Sequence, residues 1–471
     1  MRRTKIIATL GPASDDPRVL ADLLDAGVDV VRLGLAHGTA ADHRDRIHLV
    51  RELAARQGRT VGVLADLPGP KVRTGPFPEG GAFLAEGDEV ALVAADGASG
   101  PSRITVDEAH LVDCVTPGDQ VVLGDGIVTL KVLAVAGAEV RARVESGGRL
   151  QGRPGAHLPS DRWLAAVPTP EDLRLIDEVA READWVAVSF VRTPDELQVV
   201  RKALGPGGPR LMAKIETRAA VDHLDALLDA ADAVMVARGD LGIDFPIEDV
   251  PHLQKRIIRA CGAHGLPVVT ATQMLESMVT APSPTRAEAT DVANAVGDGT
   301  DALMLSAETA IGHDPALTVR TMARIAERAE QFDHQDHSRR GQVGRRGPSS
   351  QAVTVAMAHA ALRAADELEL GAIVCCTRSG ATARAMAAVR PRARLLGATS
   401  SLATARQLTL SWGVEPLVVG EYRTLDEMVW CVVEAAVDRG MVQHGDTIAV
   451  LAGAPGREAG TTDVLRVVGV E

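Results

Sequence analysis

Short apolar runs of strand length recur along the chain, and between them lie longer stretches in which apolar residues return every three to four positions. Such runs cover residues 5–10, 28–33, 60–66, 185–190, 210–216, 233–238, 267–272 and 302–306. Amphipathic helices are predicted between them, for example over 17–26, 43–57, 193–204 and 250–264. Eight buried strands alternating with helices predict a (β/α)8 barrel of the TIM type, built from residues 1–70 and 160–335. The alternation breaks once. Residues 71–159 read as short alternating strands separated by Gly, Pro and Asp turns, which predicts a small β-barrel lid domain inserted after the third strand. A helix is expected to run on from the eighth strand to about residue 330, and 336–350 forms a polar linker without periodicity. Beyond it, helices over 352–368, 381–389, 403–412 and 425–439 alternate with strands over 372–377, 394–399, 416–419, 447–451 and 464–470. That pattern predicts a separate C-terminal α/β domain spanning 351–471.

Composition sharpens this picture. Aromatic residues make up 2% of the 471, so the core must be built from Val, Leu, Ile and Ala, which suits parallel strands covered by helices. With 50 Lys and Arg against 63 Asp and Glu, the formal net charge is −13, which argues against nucleic acid as a partner. No run reaches the roughly 18 apolar residues of a membrane span, and the start lacks a signal-peptide apolar block, so a soluble cytoplasmic protein is expected. The five cysteines (114, 261, 375, 376 and 431) are odd in number and scattered, as suits reduced thiols, and Cys375 and Cys376 read as buried strand filler.

In a (β/α)8 barrel the chemistry sits at the carboxyl ends of the strands. Those ends carry Thr9, Arg32, Asp66, Ser189, Lys214 with Glu216, Arg238 with Asp240, Thr272, and Ser306 with Glu308. Lys214 and Glu216 are two apart on one strand and leave the same face, so an ammonium and a carboxylate can meet one ligand. Asp240 at the next strand end completes a pair of carboxylates. Mg²⁺ keeps several waters and needs only one or two carboxylates plus substrate oxygens, so a metal-dependent site for an anionic substrate is expected.

Arg3 to Ser14, Met212-Ala213-Lys214-Ile215-Glu216 and Val236 to Gly242 resemble pyruvate kinase, as do Ala271 to Met278, Pro284 to Glu288, Asp291 to Val296, and the Gly453–Gly456 and Gly460–Thr462 segments. The resemblance covers the whole chain. It implies Mg²⁺-dependent (or Mn²⁺-dependent) phosphoryl transfer from phosphoenolpyruvate to ADP, giving pyruvate and ATP, in a homotetramer. It further implies that Lys214 stabilises the migrating phosphoryl group and the enolate oxygen, that Arg32 clamps the phosphate, and that Glu216 and Asp240 hold the metal. The amides around Gly239 and Asp240 would receive the substrate carboxylate, and Thr272 would contact it and relay a proton. Arg73, Arg153 and His37 are assigned to the nucleotide, with the inserted domain closing as a lid to exclude water.

Three stretches depart from the family pattern. Arg32-Leu33-Gly34-Leu35-Ala36-His37-Gly38 stands where the family has Arg-x-Asn-Phe-Ser-His-Gly, and Asp66-Leu67-Pro68-Gly69-Pro70-Lys71 stands for Asp-Thr-Lys-Gly-Pro-Glu. The family's Asn, Ser, Asp and Thr bind K⁺; only Asp66 keeps a side-chain oxygen here. A dehydrated K⁺ would be poorly compensated in such a pocket. Family members independent of K⁺ carry Lys at position 71, so Lys71 with Asp66 is expected to replace the monovalent cation, and K⁺ is not required. The third departure puts Arg153-Pro154 in place of Lys-Lys, which substitutes a planar fork for a point charge near the nucleotide.

In the C-terminal domain, Thr377-Arg378-Ser379-Gly380-Ala381-Thr382 is a hydroxyl- and Gly-rich turn at a helix start, suited to an anion. It resembles the family's effector loop, which implies a sugar-phosphate or nucleotide effector and a regulatory role. Two other readings stand beside the kinase: a paralogue using the same residues for enolpyruvate or 2-oxoacid chemistry with altered nucleotide use, and a non-catalytic metabolite binder.

Overall fold

The computed structural model describes residues 2–124, 126–159, 162–163, 165–333, 349–453 and 462–471. Most of the expected linker, and of the Gly453–Gly456 and Gly460–Thr462 segments, lies outside the described residues.

Eight parallel strands close into a barrel in chain order: β1 Lys5–Thr9, β2 Val30–Gly34, β3 Gly62–Asp66, β4 Trp185–Val188, β5 Arg210–Ile215, β6 Ala233–Ala237, β7 Val268–Ala271 and β8 Ala302–Leu305. Alternate residues of each strand face opposite layers. Ile7, Val30, Leu64, Trp185 and Met212 fill the interior, while Ile6, Val31, Val63, Val186 and Leu211 pack beneath the surrounding helices. Several helices begin where the sequence writes a cap. Thr39 with Asp42, Thr169 with Asp172, Thr193 with Glu196, and Thr285 with Glu288 form reciprocal capping boxes. The Pro284 to Glu288 signature is therefore partly structural: Glu288 caps its helix and also accepts from the Ser277 backbone N–H at 2.7 Å, tying that helix to the turn after β7.

Between β3 and β4 the inserted segment forms a six-stranded sheet and a separate two-stranded ribbon curled around one apolar core that includes Leu84, Leu92, Ile104, Val121 and Leu130. The C-terminal domain is a five-stranded sheet in the spatial order Val414–Val418, Arg394–Thr399, Ala372–Cys376, Thr447–Ala452, Val464–Gly469, the last strand antiparallel to its neighbour. All five cysteines are free, and Cys375 and Cys376 are buried. Among the described residues no helix is long and apolar enough to cross a membrane.

One expected element changes course. The helix anticipated over 403–412 is Leu402–Leu408, and the chain then turns under the amino-terminal end of the barrel. Leu410 is fully buried in the barrel's inner cluster beside Ile7, Leu64 and Trp185. Of the apolar residues in the expected helix, Leu410 seals the barrel floor while Leu408 packs in the core of the C-terminal domain. Trp412 lies beneath the Arg3 and Arg390 guanidinium groups, 5.3 and 4.6 Å from its ring centre, and its backbone N–H donates to Asp301 Oδ1 at 3.3 Å. Arg210, the first residue of β5, donates to the Ser379 carbonyl at 2.9 Å.

Candidate active site

The carboxyl ends of the barrel strands open into a cavity of about 750 Å³, roofed on the lid side by Val122, Ala156, His157 and Trp163. Strand register brings the polar residues together: Thr9 lies beside Arg32 in adjacent strands, and Gly34 and Ala187 flank Asp66.

Lys214 is at the centre. Its Nζ donates to Ser189 Oγ at 2.7 Å and lies 2.9 Å from Glu216 Oε1 and 3.3 Å from Asp66 Oδ1. Burial alone would depress the ammonium, but the fields of Asp66, Glu216 and Asp240 outweigh it and hold Lys214 above the usual lysine range. Lys214 is thus a permanent positive charge. Ser189 in turn donates to the Leu67 carbonyl at 2.7 Å, which fixes its lone pairs toward Lys214.

Asp66 is fully occupied. Its Oδ2 accepts from Arg32 Nε at 2.7 Å, and its Oδ1 faces Lys214 and Ser189. Desolvation works to raise its pKa, yet Lys214 and Arg32 together hold it below the ordinary carboxylate value. Arg32 also donates through NH1 to Thr9 Oγ1 at 3.1 Å and lines the cavity.

Glu216 accepts at Oε2 from the Phe190 N–H at 2.6 Å. Phe190 reaches it by adopting φ 56°, an uncommon conformation for a bulky residue and the kind of local strain found at functional sites. Burial, with the like charge of Asp240 and against the pull of Lys214, leaves the Glu216 carboxyl pushed up to about 7. The Asp240 carboxylate lines the cavity and has no hydrogen-bond or ion-pair partner among the described residues. Two carboxylates that repel one another, one of them unpartnered, form a hard-oxygen donor set suited to a divalent cation. Among the described residues no group of three or more His, Cys, Asp or Glu side chains gathers as a cage, and Mg²⁺ does not need one.

Thr272 and Gly239 sit side by side next to Asp240. Gly239 N–H donates to Thr272 Oγ1 at 2.9 Å, and the hydroxyl donates to the Ala271 carbonyl at 2.6 Å. The Gly239 amide is therefore paired, and a substrate carboxylate would have to exchange with the Thr272 hydroxyl. Thr272 and Gln273 both have positive φ, 68° and 52°. For a β-branched residue this costs about 1–3 kcal/mol.

His37, Gly34, Ala36, Leu67 and Lys71 line the same cavity. Lys71 is exposed and makes no ion pair with Asp66, whose oxygens are already engaged. It occupies space left by Gly155: a Cβ there would stand 3.3 Å from Lys71 Cε. Arg73 and Arg153 lie at the lid's root and not on the cavity wall. Arg73 N–H donates to Asp107 Oδ1 at 2.5 Å, and Arg153 NH2 lies 3.5 Å from Asp107 Oδ2.

The anticipated effector turn is internally bonded. Gly380 N–H donates to Thr377 Oγ1 at 2.9 Å, Thr382 Oγ1 and Thr462 Oγ1 are 2.7 Å apart, and the Ser379 carbonyl receives Arg210 and Arg384. Arg378 is exposed at its tip, its carbonyl receiving Thr404 Oγ1 at 2.8 Å.

The strand-end residues Ser189 and Glu308 turn out to have specific roles. Ser189 orients Lys214. Glu308, fully buried, accepts from the Leu275 N–H at 3.1 Å and the Ser306 N–H at 2.6 Å and ties two loops of the barrel mouth together. His157, on the lid's final strand, approaches Asp244 of the barrel at 3.5 Å, a contact that sequence spacing gives no hint of.

Residues 1–319 match the family model described as the pyruvate kinase barrel domain, and 355–468 match the pyruvate kinase alpha/beta domain. The chain belongs to the pyruvate kinase family. A relative named pyruvate kinase from Geobacillus stearothermophilus is 40% identical over 473 residues, covering 99% of this chain and 80% of the relative. One from Clostridium acetobutylicum is 37% identical across the whole of both chains, and one from Methylorubrum extorquens is 38% identical over 99% of this chain and 97% of its own. Membership of the pyruvate kinase family makes the protein a phosphotransferase, and the Lys214 cluster is its candidate reaction centre.

Proposed function

We propose that this chain transfers the phosphoryl group of phosphoenolpyruvate to ADP, giving pyruvate and ATP, with Mg²⁺ and without K⁺. The observation that carries the reading is Lys214: a permanently charged ammonium held by Ser189, flanked by Glu216, in one cavity with Arg32 and the unpartnered Asp240. Phosphoryl transfer asks chiefly for positioning and charge stabilisation. Arg32, anchored through Nε and NH1, would grip the phosphate. Lys214 would meet the charge that grows on the bridging oxygen as the enolate leaves, and Thr272 would pass a proton to the enolate carbon. Glu216 and Asp240 would hold Mg²⁺, which when bound neutralises phosphate charge and orients oxygens. The lid would exclude water, which otherwise takes the phosphoryl group.

Independence from K⁺ is supported by Gly34, Ala36 and Leu67, which offer no side-chain oxygen, and by Lys71, which brings a fixed cation to the same cavity. Coupled measurement of ATP and pyruvate, with Lys214→Ala as control, tests the reaction; a pure sample that forms no ATP overturns it. Repeating the assay in potassium-free buffer tests the cation, and strong activation by added K⁺ rules Lys71 out as its substitute.

The Thr377 to Thr382 turn is proposed to bind a phosphorylated effector, and the protein to assemble as a homotetramer. Isothermal titration of sugar phosphates and nucleotides into the protein, Thr377→Ala and Ser379→Ala tests the first; light scattering tests the second. Equal binding in all three proteins removes the turn from consideration.

A further inference from the structure

The turn after β7 holds Thr272 and Gln273 consecutively in the left-handed region. A β-branched residue avoids this conformation, because its Cβ crowds the neighbouring carbonyl, and keeps it only where surrounding groups over-determine the backbone. Arg238, at the end of β6, supplies that constraint. Its Nε donates to the Ala271 carbonyl at 3.1 Å and its NH2 to the Thr272 carbonyl at 2.5 Å, so the peptide units on both sides of the Thr272 Cα are held. The guanidinium is itself pinned by Asp291 on the helix Arg286–Asp298, NH1 lying 2.7 and 2.6 Å from the two carboxylate oxygens. A lysine has no planar fork to span these acceptors at once. The Ala271 carbonyl is also the acceptor of the Thr272 hydroxyl, at 2.6 Å, so the atom that Arg238 fixes is the one that aims that proton.

We propose that Arg238 is a positioning residue for Thr272: by clamping the Ala271 and Thr272 carbonyls it keeps Thr272 left-handed and its hydroxyl at the Gly239 edge of the substrate site. Arg238 touches no substrate in this account. Its consequence for chemistry rests on the reading of Thr272 as the group that passes a proton to the enolate carbon.

Arg238→Lys keeps the charge and loses the fork. Asp291→Asn leaves the arginine in place and loosens it, and so serves if the first variant folds poorly. Hydrogen exchange at the Gly239 amide, which donates to Thr272 Oγ1, reads the placement of Thr272 without any turnover. Both substitutions should speed that exchange by about tenfold. Deuterium uptake into the methyl group of pyruvate and kcat should each fall about tenfold, with KM for ADP unchanged, and Arg238→Lys should add less than about twofold to Thr272→Ala. Unchanged Gly239 exchange in both variants overturns the proposal, as does an Arg238→Lys effect that multiplies in full with Thr272→Ala. If the parent protein forms no ATP, the functional reading fails on its own, and the Gly239 exchange alone then decides whether the clamp exists.

Discussion

Lys214 and Glu216 leave the same face of one barrel strand, and their charged atoms stand 2.9 Å apart in a site that Glu216 shares with a second carboxylate, Asp240. The ammonium is thereby neither mobile nor titratable at neutral pH, and its charge is available wherever a substrate oxygen becomes anionic. Replacing it with Met should lower kcat by about 10²–10³-fold, the usual loss of one preorganised group that stabilises transition-state charge. Coupled formation of ATP and pyruvate measures this, and near-normal turnover would remove Lys214 from the chemistry.

The two proposed metal ligands differ in what else they do. Among the described residues Asp240 has no hydrogen-bond or ion-pair partner, so Asp240→Asn should leave the unfolding midpoint unchanged while raising the Mg²⁺ concentration for half-maximal activity by at least about tenfold. Glu216 is bonded to both Lys214 and the Phe190 amide. Glu216→Gln should weaken Mg²⁺ as strongly and also shift the midpoint. Parallel metal titrations and urea melts separate the two.

Arg153 lies at the root of the lid, beside Asp107 and the Thr74 carbonyl. Its side chain would reach nucleotide only when the lid closes. Arg153→Ala should raise KM for ADP by about tenfold, equivalent to about 1.4 kcal/mol of binding, with KM for phosphoenolpyruvate little changed. A reversed pattern in steady-state kinetics would place Arg153 on the other substrate.

Asp29, under the barrel, receives Arg2 NH1 and the Ile6 N–H at 2.8 and 2.9 Å. Burial pushes its pKa up, but Arg2 and Lys5 outweigh burial and hold it below its ordinary 3.8. A depressed folded pKa contributes stability above the unfolded value and loses it as pH falls through the folded one. Asp29→Asn should therefore cost about 3 kcal/mol at pH 7, and the difference from the parent should shrink steadily below pH 3.8 in urea melts.

Much of this fold is visible in the amino-acid order for a physical reason. Strands buried on both faces are mostly apolar, so Ile6–Ala8 or Ala233–Ala237 read as unbroken runs, and the polar residues that follow them mark the strand ends where the site lies. Thr-x-x-Asp and Thr-x-x-Glu spacings likewise mark helix starts. Long-range pairing is another matter. Nothing near Arg238 shows that Asp291 will pin it, nor that Thr272 will turn left-handed, because both follow from how loops of separate strands meet. Leu408 and Trp412, four apart, look like one side of a continuing helix, and only the presence of the barrel above them explains why the helix stops.

That last feature bears on how the molecule can be divided. Leu410 reaches into the base of the barrel like a cork, filling space next to Leu64 and Trp185. Excising the third domain would keep every reacting side chain yet leave an oily hole at the opposite end. The smallest useful catalyst therefore includes residues that never come near the reaction.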